Sequence, residues 1–101
     1  MTQALVVYPS GPAFDLEYYL KSHMPLVSSL WTPLGLQSWE VLTFPSDAPY
    51  QVQATLHWKS ADDFNAAATG ESAEKVFGDI VNFTTAKPIV LKGEVVGSSK
   101  L

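Results

Sequence analysis

The sequence contains no cysteine and no arginine, and only 16% of its 101 residues are charged. Without cysteine, disulfides, thiolate nucleophiles and thiolate metal ligands are excluded. Arginine is the usual bidentate partner of phosphates, carboxylates and base edges. Its absence, together with a net charge of −4, argues against nucleic acid and against a polyanionic substrate.

Long hydrophobic runs and targeting signals are missing as well. No apolar stretch approaches the roughly 20 residues of a membrane span, and no basic segment followed by an apolar one opens the chain. We therefore expect a cytoplasmic protein without a membrane partner. The two histidines are far apart and do not form a helical His-x-x-x-His pair, so we expect no metal site.

Hydrophobic residues make up 47% of the chain, and its charged share falls below the roughly 25% of an average protein. A chain of this length fits one domain, spanning residues 1–101. Such a domain can bury a sizeable core but is short of surface charge. We therefore expect a large face to be covered by a second copy, which gives a homodimer.

Turn residues and apolar periodicity predict the element order strand, helix, strand, strand, helix, strand. The predicted strands are residues 4–8, 36–44, 50–58 and 89–96. This order is that of a ferredoxin-like α+β domain, in which two helices cover one face of a four-stranded antiparallel sheet. The first strand is apolar on both faces, so we predict that two sheets pack face to face into an α/β barrel.

Helix boundaries are marked by specific residues. Asp15 is predicted to cap the first helix, and Ser60 with Asp63 resembles a capping box at the start of the second. Pro25 removes a backbone donor and clashes with the preceding turn, so the first helix should kink or restart near His23. Gly70 should break the second helix into two.

His23 is placed on the apolar stripe of the first helix, four residues after Tyr19 and four before Val27. An imidazole among large apolar side chains can act as an acid or base near neutral pH. It can equally be a neutral core histidine bonded to a carbonyl. Position on the stripe leaves both readings open.

Two segments of the chain carry recognisable motifs. The run from Phe14 to Val27, FDLEYYLKSHMPLV, has roughly the pattern Phe-Asp-x-x-Tyr-Tyr-x-x-x-His-x-Pro-Leu, and it resembles the signature of the EthD family. A second similar stretch is DIVNFTTAKP, residues 79–88, and Tyr8 with the following proline also fits. The resemblance covers almost the whole chain, which departs from it in the short segment 42–48 and at Thr55.

The resemblance implies a ferredoxin-like subunit that dimerises through its sheet and has a pocket between sheet and helices. The dimeric α/β-barrel superfamily, to which this family belongs, includes cofactor-free monooxygenases, decarboxylases, dehydratases, cyclases, lactone isomerases and haem enzymes. Fungal EthD relatives act as decarboxylases or dehydratases on aromatic polyketides. Because one fold hosts many reactions, the resemblance identifies no single one.

We predict His23 as the general acid or base, with Tyr19 orienting it or binding a substrate oxygen. His57 is predicted as a second catalytic histidine if the polar side of the third strand lines the pocket; otherwise it is an exposed histidine. Further predicted substrate-binding residues carry aromatic or hydrogen-bonding side chains: Tyr8, Tyr18, Trp31, Trp39, Thr55, Asn82 and Phe83. For each of these, the alternative is a role in the core, in a turn or on the surface.

The resulting hypothesis is a cofactor-independent lyase, acting as a decarboxylase, dehydratase or cyclase on a hydrophobic aromatic or polyketide-like molecule. One alternative is a non-catalytic, dimeric, stress-associated protein that binds a small apolar ligand. The other is a haem-dependent oxygenase with a single axial histidine. Haem is disfavoured because no arginine is present to hold its propionates.

Overall fold

Four strands form one antiparallel sheet in the computed structural model, which describes residues 2–100. The strands are β1 (Thr2–Pro9), β2 (Leu36–Thr43), β3 (Tyr50–Trp58) and β4 (Ile89–Glu94). Their order across the sheet is β2-β3-β1-β4, and each neighbouring pair is antiparallel. This is the ferredoxin-like arrangement, so the predicted fold class is confirmed.

The helical segments cover one face of this sheet. The first region consists of α1 (Leu16–Tyr18), a π-helical turn (Tyr19–His23), α2 (Met24–Trp31) and a 3₁₀ turn (Thr32–Leu34). The second consists of α3 (Ala61–Thr69), α4 (Glu71–Gly78) and a 3₁₀ turn (Asp79–Asn82). Within residues 2–100, none of these helices is both long and apolar enough to cross a bilayer.

The two sides of β3 face different surroundings. Its apolar residues, among them Ala54, Leu56 and Trp58, are buried beneath the helices. Its polar residues Thr55 and His57 therefore lie on the opposite, open face of the sheet, because neighbouring residues of a strand alternate between faces. One of the two predicted possibilities was that this polar side lines the pocket beneath the helices. It does not, because burial of the apolar side determines the strand's orientation.

The last strand is shorter than predicted. Glu94 pairs with Thr2 at the start of β1, so Val95 and Val96 have no β1 partner in the part of the chain that the structure describes. The predicted strand over residues 89–96 therefore ends two residues early. The predicted bounds of β3 are matched in full, because Pro49 precedes its start, alternation runs along it, and the helix cap Ser60 follows its end.

Pro25 widens the first helix instead of breaking it. The Met24 N–H donates to the Tyr19 carbonyl five residues back, which closes a π-helical turn, and α2 starts at Met24. The predicted restart near His23 is confirmed. π-Helical turns are rare and recur at functional sites, and here the turn ends on His23 itself.

The start of α1 is fixed by Asp15. Its Oδ1 accepts a hydrogen bond from the Tyr18 N–H at 3.0 Å, which satisfies one of the free donors of the first turn. Phe14 and Tyr19 contact each other edge to face with ring centroids 5.1 Å apart, as expected for residues on either side of a cap. The predicted capping role of Asp15 is confirmed.

Replacing Asp15 by Ala should lower the free energy of unfolding by about 1 kcal/mol, because the Tyr18 N–H loses its acceptor and the helix N-terminus loses a favourable charge. Urea denaturation at pH 7.5 would measure the loss. Asp47→Ala is the matched control, since Asp47 is an exposed residue of the β2–β3 loop. Equal losses in the two variants would contradict the capping role.

Candidate active site

A small cavity lies between the first helical region and the sheet. Its polar lining comes from Tyr8 of β1 and from Tyr19 and His23 of the π-helical turn. Its apolar lining comes from both helical regions and from β1 and β3: Val6, Met24, Val27, Trp31, Ala54, Leu56, Val76, Phe77 and Ile80. The cavity therefore offers a few convergent polar groups inside an apolar wall, the usual composition of a small-molecule site.

His23 forms a hydrogen-bonded pair with Asp79. Its Nδ1 lies 3.0 Å from Asp79 Oδ2, and the two side chains are only 5% and 13% exposed. The two residues are 56 positions apart in the chain, so only the fold brings them together. A buried imidazole oriented by a carboxylate is a recurring arrangement in acid–base catalysis.

Asp79 also accepts hydrogen bonds from two other side chains. The Tyr18 hydroxyl donates to its Oδ1 at 2.7 Å, and Asn82 Nδ2 donates to the same oxygen at 2.9 Å. Burial acts to raise the pKa of Asp79, but the hydrogen bonds from Tyr18, Asn82 and His23 outweigh it and hold the pKa below its ordinary value. Asp79 is therefore ionised at neutral pH.

The protonation of His23 follows from its surroundings. Burial lowers the pKa of His23, and the hydrogen bond and charge of Asp79 only partly oppose this effect, so the ring is neutral at pH 7. An ionised carboxylate can only accept, so Nδ1 must carry the proton. Nε2 then keeps its lone pair, and within residues 2–100 it has no hydrogen-bond partner.

Tyr8 and Tyr19 are the two tyrosines among the residues that line the cavity. Each side chain is 1% exposed, and their rings meet edge to face with centroids 5.9 Å apart. Burial raises the pKa of both phenols, so both remain neutral donors at any physiological pH. Among the residues that the structure describes, neither hydroxyl has a hydrogen-bond partner.

Backbone contacts hold the two halves of this site together. The Asp15 N–H donates to the Phe83 carbonyl at 2.8 Å, and the Thr84 hydroxyl donates to the Ala13 carbonyl at 2.7 Å. The Phe83 ring lies against the imidazole with centroids 4.7 Å apart. The start of α1 and the segment before β4 are thus joined beside the His23–Asp79 pair.

Two solved structures are similar to this chain along nearly its whole length. An EthD-like protein from Ralstonia eutropha is 28% identical, with a TM-score of 0.83 over 97% of this chain and 94% of its own. An EthD family protein from Bacillus halodurans is 16% identical, with a TM-score of 0.75 over 95% of this chain and 99% of its own. The resemblance to the EthD family is confirmed.

A third solved structure shares the fold. A dimeric ferredoxin-like protein of unknown function from Jannaschia is 14% identical, with a TM-score of 0.65 over 93% of this chain and 97% of its own. This likeness supports the fold alone. No protein-family model matches the sequence.

The two EthD-like segments of the chain form the site together. The first supplies His23, Tyr19 and Tyr18, and the second supplies Asp79 and Asn82. Of the predicted site residues, the following line the cavity or contact the groups that do: Tyr8, Tyr18, Tyr19, His23, Trp31, Asn82 and Phe83. Phe83 forms the wall behind the imidazole and does not line the cavity.

Three predicted residues lie elsewhere. Thr55 and His57 are on the open face of the sheet, where His57 Nε2 is 2.6 Å from Glu40 Oε1. The sheet separates His57 from His23, so the structure does not bring the two histidines of one subunit together. Trp39 donates a hydrogen bond from Nε1 to the Ser28 hydroxyl of α2 at 2.7 Å. Its side chain does not line the cavity.

Asp79 is the site residue that sequence reasoning missed. It belongs to the second EthD-like segment, and a carboxylate directly after the final glycine of α4 was the available signal. Helical periodicity could not reveal its partner because the contact crosses most of the chain. Met24, Phe77 and Ile80, which complete the cavity wall, read only as core positions in the sequence.

The cavity is nearly closed in this conformation. The cavity volume is about 20 Å³, which leaves room for about one water molecule. The chain has no arginine to hold the propionates of a haem, and no lysine lines the cavity, so the residues present do not fit this cofactor. Within residues 2–100, no group of three or more His, Asp or Glu side chains is arranged to hold a metal ion.

Replacing Asp79 by Asn should lower the pKa of His23 further below its ordinary value. The neutral amide removes the charge and the strong acceptor that favour the imidazolium, while the burial that disfavours it remains. The neutral ring should therefore persist to lower pH than in the wild-type protein. An NMR titration of the His23 ring protons, assigned with a His23→Gln variant, would measure this shift.

Asp62→Asn is the control for this titration, because Asp62 is an exposed residue of α3 and its loss should leave the His23 titration unchanged. An unchanged or raised His23 pKa in the Asp79→Asn variant would contradict the pairing.

Proposed function

We propose that this EthD-like protein is a cofactor-independent enzyme that moves a proton on a small apolar molecule, with His23 as the general base and acid. One observation carries the proposal: a buried imidazole, oriented by Asp79, presents an unpartnered Nε2 among the apolar groups of the cavity. Most buried polar side-chain atoms have a hydrogen-bond partner, so the unpartnered Nε2 favours a role toward a ligand over a role in packing alone.

The geometry supports a two-way transfer. Nε2 accepts a proton from the substrate, and the Asp79 carboxylate stabilises the imidazolium that forms at Nδ1. The same ring then returns the proton to another substrate atom. A pKa near or below neutrality suits this role, because the ring is in its basic form before the reaction and is readily reprotonated.

This mechanism serves several lyase reactions. Decarboxylation, dehydration and cyclisation each require one proton to move at a carbon next to an electron sink. The apolar wall excludes competing water, and aromatic side chains such as Trp31 and Phe77 suit a flat hydrophobic substrate. We therefore retain the lyase class, and an aromatic or polyketide-like substrate, as the proposed activity.

Substrate entry requires part of the wall to move, since the cavity holds about one water molecule. Phe77 and Ile80 are the half-buried members of that wall on the helical side, so the end of α4 is the proposed entrance. Asp79 lies between them in the sequence. Opening of this segment would separate Asp79 from His23, and closure over the substrate would restore the pair.

Replacing His23 by Gln should lower kcat by roughly 10²–10⁴-fold while leaving ligand affinity within a few-fold of wild type, because general acid–base catalysis is lost and the cavity shape is largely kept. Turnover of a panel of phenolic and polyketide-like compounds, followed by mass spectrometry, would identify the reaction. Ligand affinity would be measured by calorimetry on the same compounds.

His57→Gln is the matched histidine control, and we expect it to keep wild-type turnover because the sheet separates His57 from the cavity. If no compound is turned over, yet one binds equally well to wild type and to the His23→Gln variant, the protein is a ligand-binding protein and not an enzyme.

We further infer that the protein acts as a homodimer joined through its open sheet face. Apolar side chains from β1, from β2 and its end, and from β4 are clustered there: Leu5, Val7, Leu42, Phe44, Ile89 and Leu91. Leu42, Ile89 and Leu91 are 42–51% exposed in the single chain. An apolar sheet face of this kind is typical of an association surface, and the similar Jannaschia protein is described as dimeric.

A Leu91→Lys substitution should convert the dimer to a monomer, since it places a charge on the open sheet face where the partner's sheet would bury it. Leu20→Lys is the matched control, because Leu20 is similarly exposed on the π-helical turn. Sedimentation velocity should give a dimer for wild type and Leu20→Lys, and a monomer for Leu91→Lys. A monomeric wild type would contradict the assembly.

A further inference from the structure

We infer that the hydroxyls of Tyr8 and Tyr19 bind the carbonyl oxygen of an uncharged, enolisable ketone about the size of one aromatic ring, and that a carboxylate is not the bound group. This inference rests on the proposed proton transfer by His23 and specifies the substrate class. Of the three lyase reactions considered above, it favours dehydration and cyclisation over decarboxylation, because the substrate of a decarboxylase carries a carboxylate. It depends on two features of the cavity, namely its charge and its unsatisfied donors.

The charge of the cavity disfavours an anion. All six lysines of the chain are exposed, and none lines the cavity. The lining residue His23 is hydrogen-bonded to the carboxylate of Asp79, which would repel a second carboxylate. An anion entering this space would lose its hydration without gaining a cationic partner, and that cost is large.

The donors of the cavity favour a neutral oxygen. Tyr8 and Tyr19 are each 1% exposed, and no described residue accepts from their hydroxyls. Burial raises the pKa of both phenols, so they keep their protons and remain donors for an acceptor in the cavity. A ketone oxygen is such an acceptor, and two O–H donors can stabilise the negative charge that develops on it.

The reaction step balances without a cofactor. His23 Nε2 removes a proton from the carbon next to the carbonyl, and the C–H electron pair becomes a carbon–carbon double bond. The carbonyl π electrons move to oxygen, which becomes an enolate held by the two phenols. The imidazolium then returns the proton to carbon or oxygen, or delivers it to a leaving hydroxyl when water is eliminated.

Acetophenone and benzoate form a matched pair of probes, because they have nearly the same shape and differ in charge at the group to be bound. At pH 7.5, calorimetry should show acetophenone binding about tenfold or more tightly than benzoate to the wild-type protein. With ¹³C at the carbonyl, the infrared stretch of bound acetophenone should shift to lower frequency than in a non-hydrogen-bonding solvent.

The infrared shift should be lost in the Tyr8→Phe/Tyr19→Phe double variant and kept in Tyr50→Phe, whose ring lies on the open face of the sheet. Circular dichroism would confirm that each variant is folded. Tighter binding of benzoate, a carbonyl stretch that ignores the two substitutions, or binding of neither probe would overturn the inference.

Proton exchange separates this inference from the proposed function. The methyl protons of acetophenone should exchange in D₂O with the wild-type protein and not with His23→Gln. Binding with the infrared shift but without exchange would overturn catalysis by His23 and leave the ketone site intact. Exchange accompanied by tighter benzoate binding would support His23 and overturn the ketone site.

Discussion

The carboxylate of Asp79 is the group on which the rest of the site depends. It accepts hydrogen bonds from His23, Tyr18 and Asn82, and it thereby ties the first helical region to the segment before β4. Because Asp79 is ionised and can only accept, it fixes which nitrogen of His23 carries the proton and leaves the other facing an apolar space. Position and tautomer of the imidazole thus follow from one carboxylate acceptor, while burial of the ring lowers its pKa. The EthD-like fold provides the cavity, and the hydrogen bond to Asp79 orients the imidazole that lines it.

The π-helical turn is the second element of the account. Pro25 cannot donate to the preceding turn, and the helix responds by widening, so that the Met24 N–H reaches the Tyr19 carbonyl. Tyr19 and His23, at the two ends of this turn, stack with ring centroids 5.2 Å apart. Together with Tyr8 from the sheet, they concentrate the polar atoms of an otherwise apolar cavity. A local backbone constraint, set by one proline, therefore supports the catalytic arrangement that we propose.

Local signals in the sequence were sufficient to predict most of the fold. Alternation along residues 50–58, the caps Asp15 and Ser60, and the restart near His23 are all determined by neighbouring residues and were confirmed. The end of β4 was not, because it depends on where β1 begins. Asp79 was missed for the same reason, since its partner is distant in sequence. Thr55 and His57 were predicted to line the pocket as one of two options. The helices cover the apolar side of β3, which leaves these two residues on the other side of the sheet.

The tautomer of His23 is the most direct test of this account. A long-range ¹H–¹⁵N correlation spectrum at pH 7.5 distinguishes protonated from unprotonated ring nitrogens. The account predicts that Nδ1 carries the proton and that Nε2 has the chemical shift of a free lone pair. A ring protonated at Nε2, whether as the other tautomer or as the imidazolium, would contradict the claim that Asp79 prepares His23 as a base.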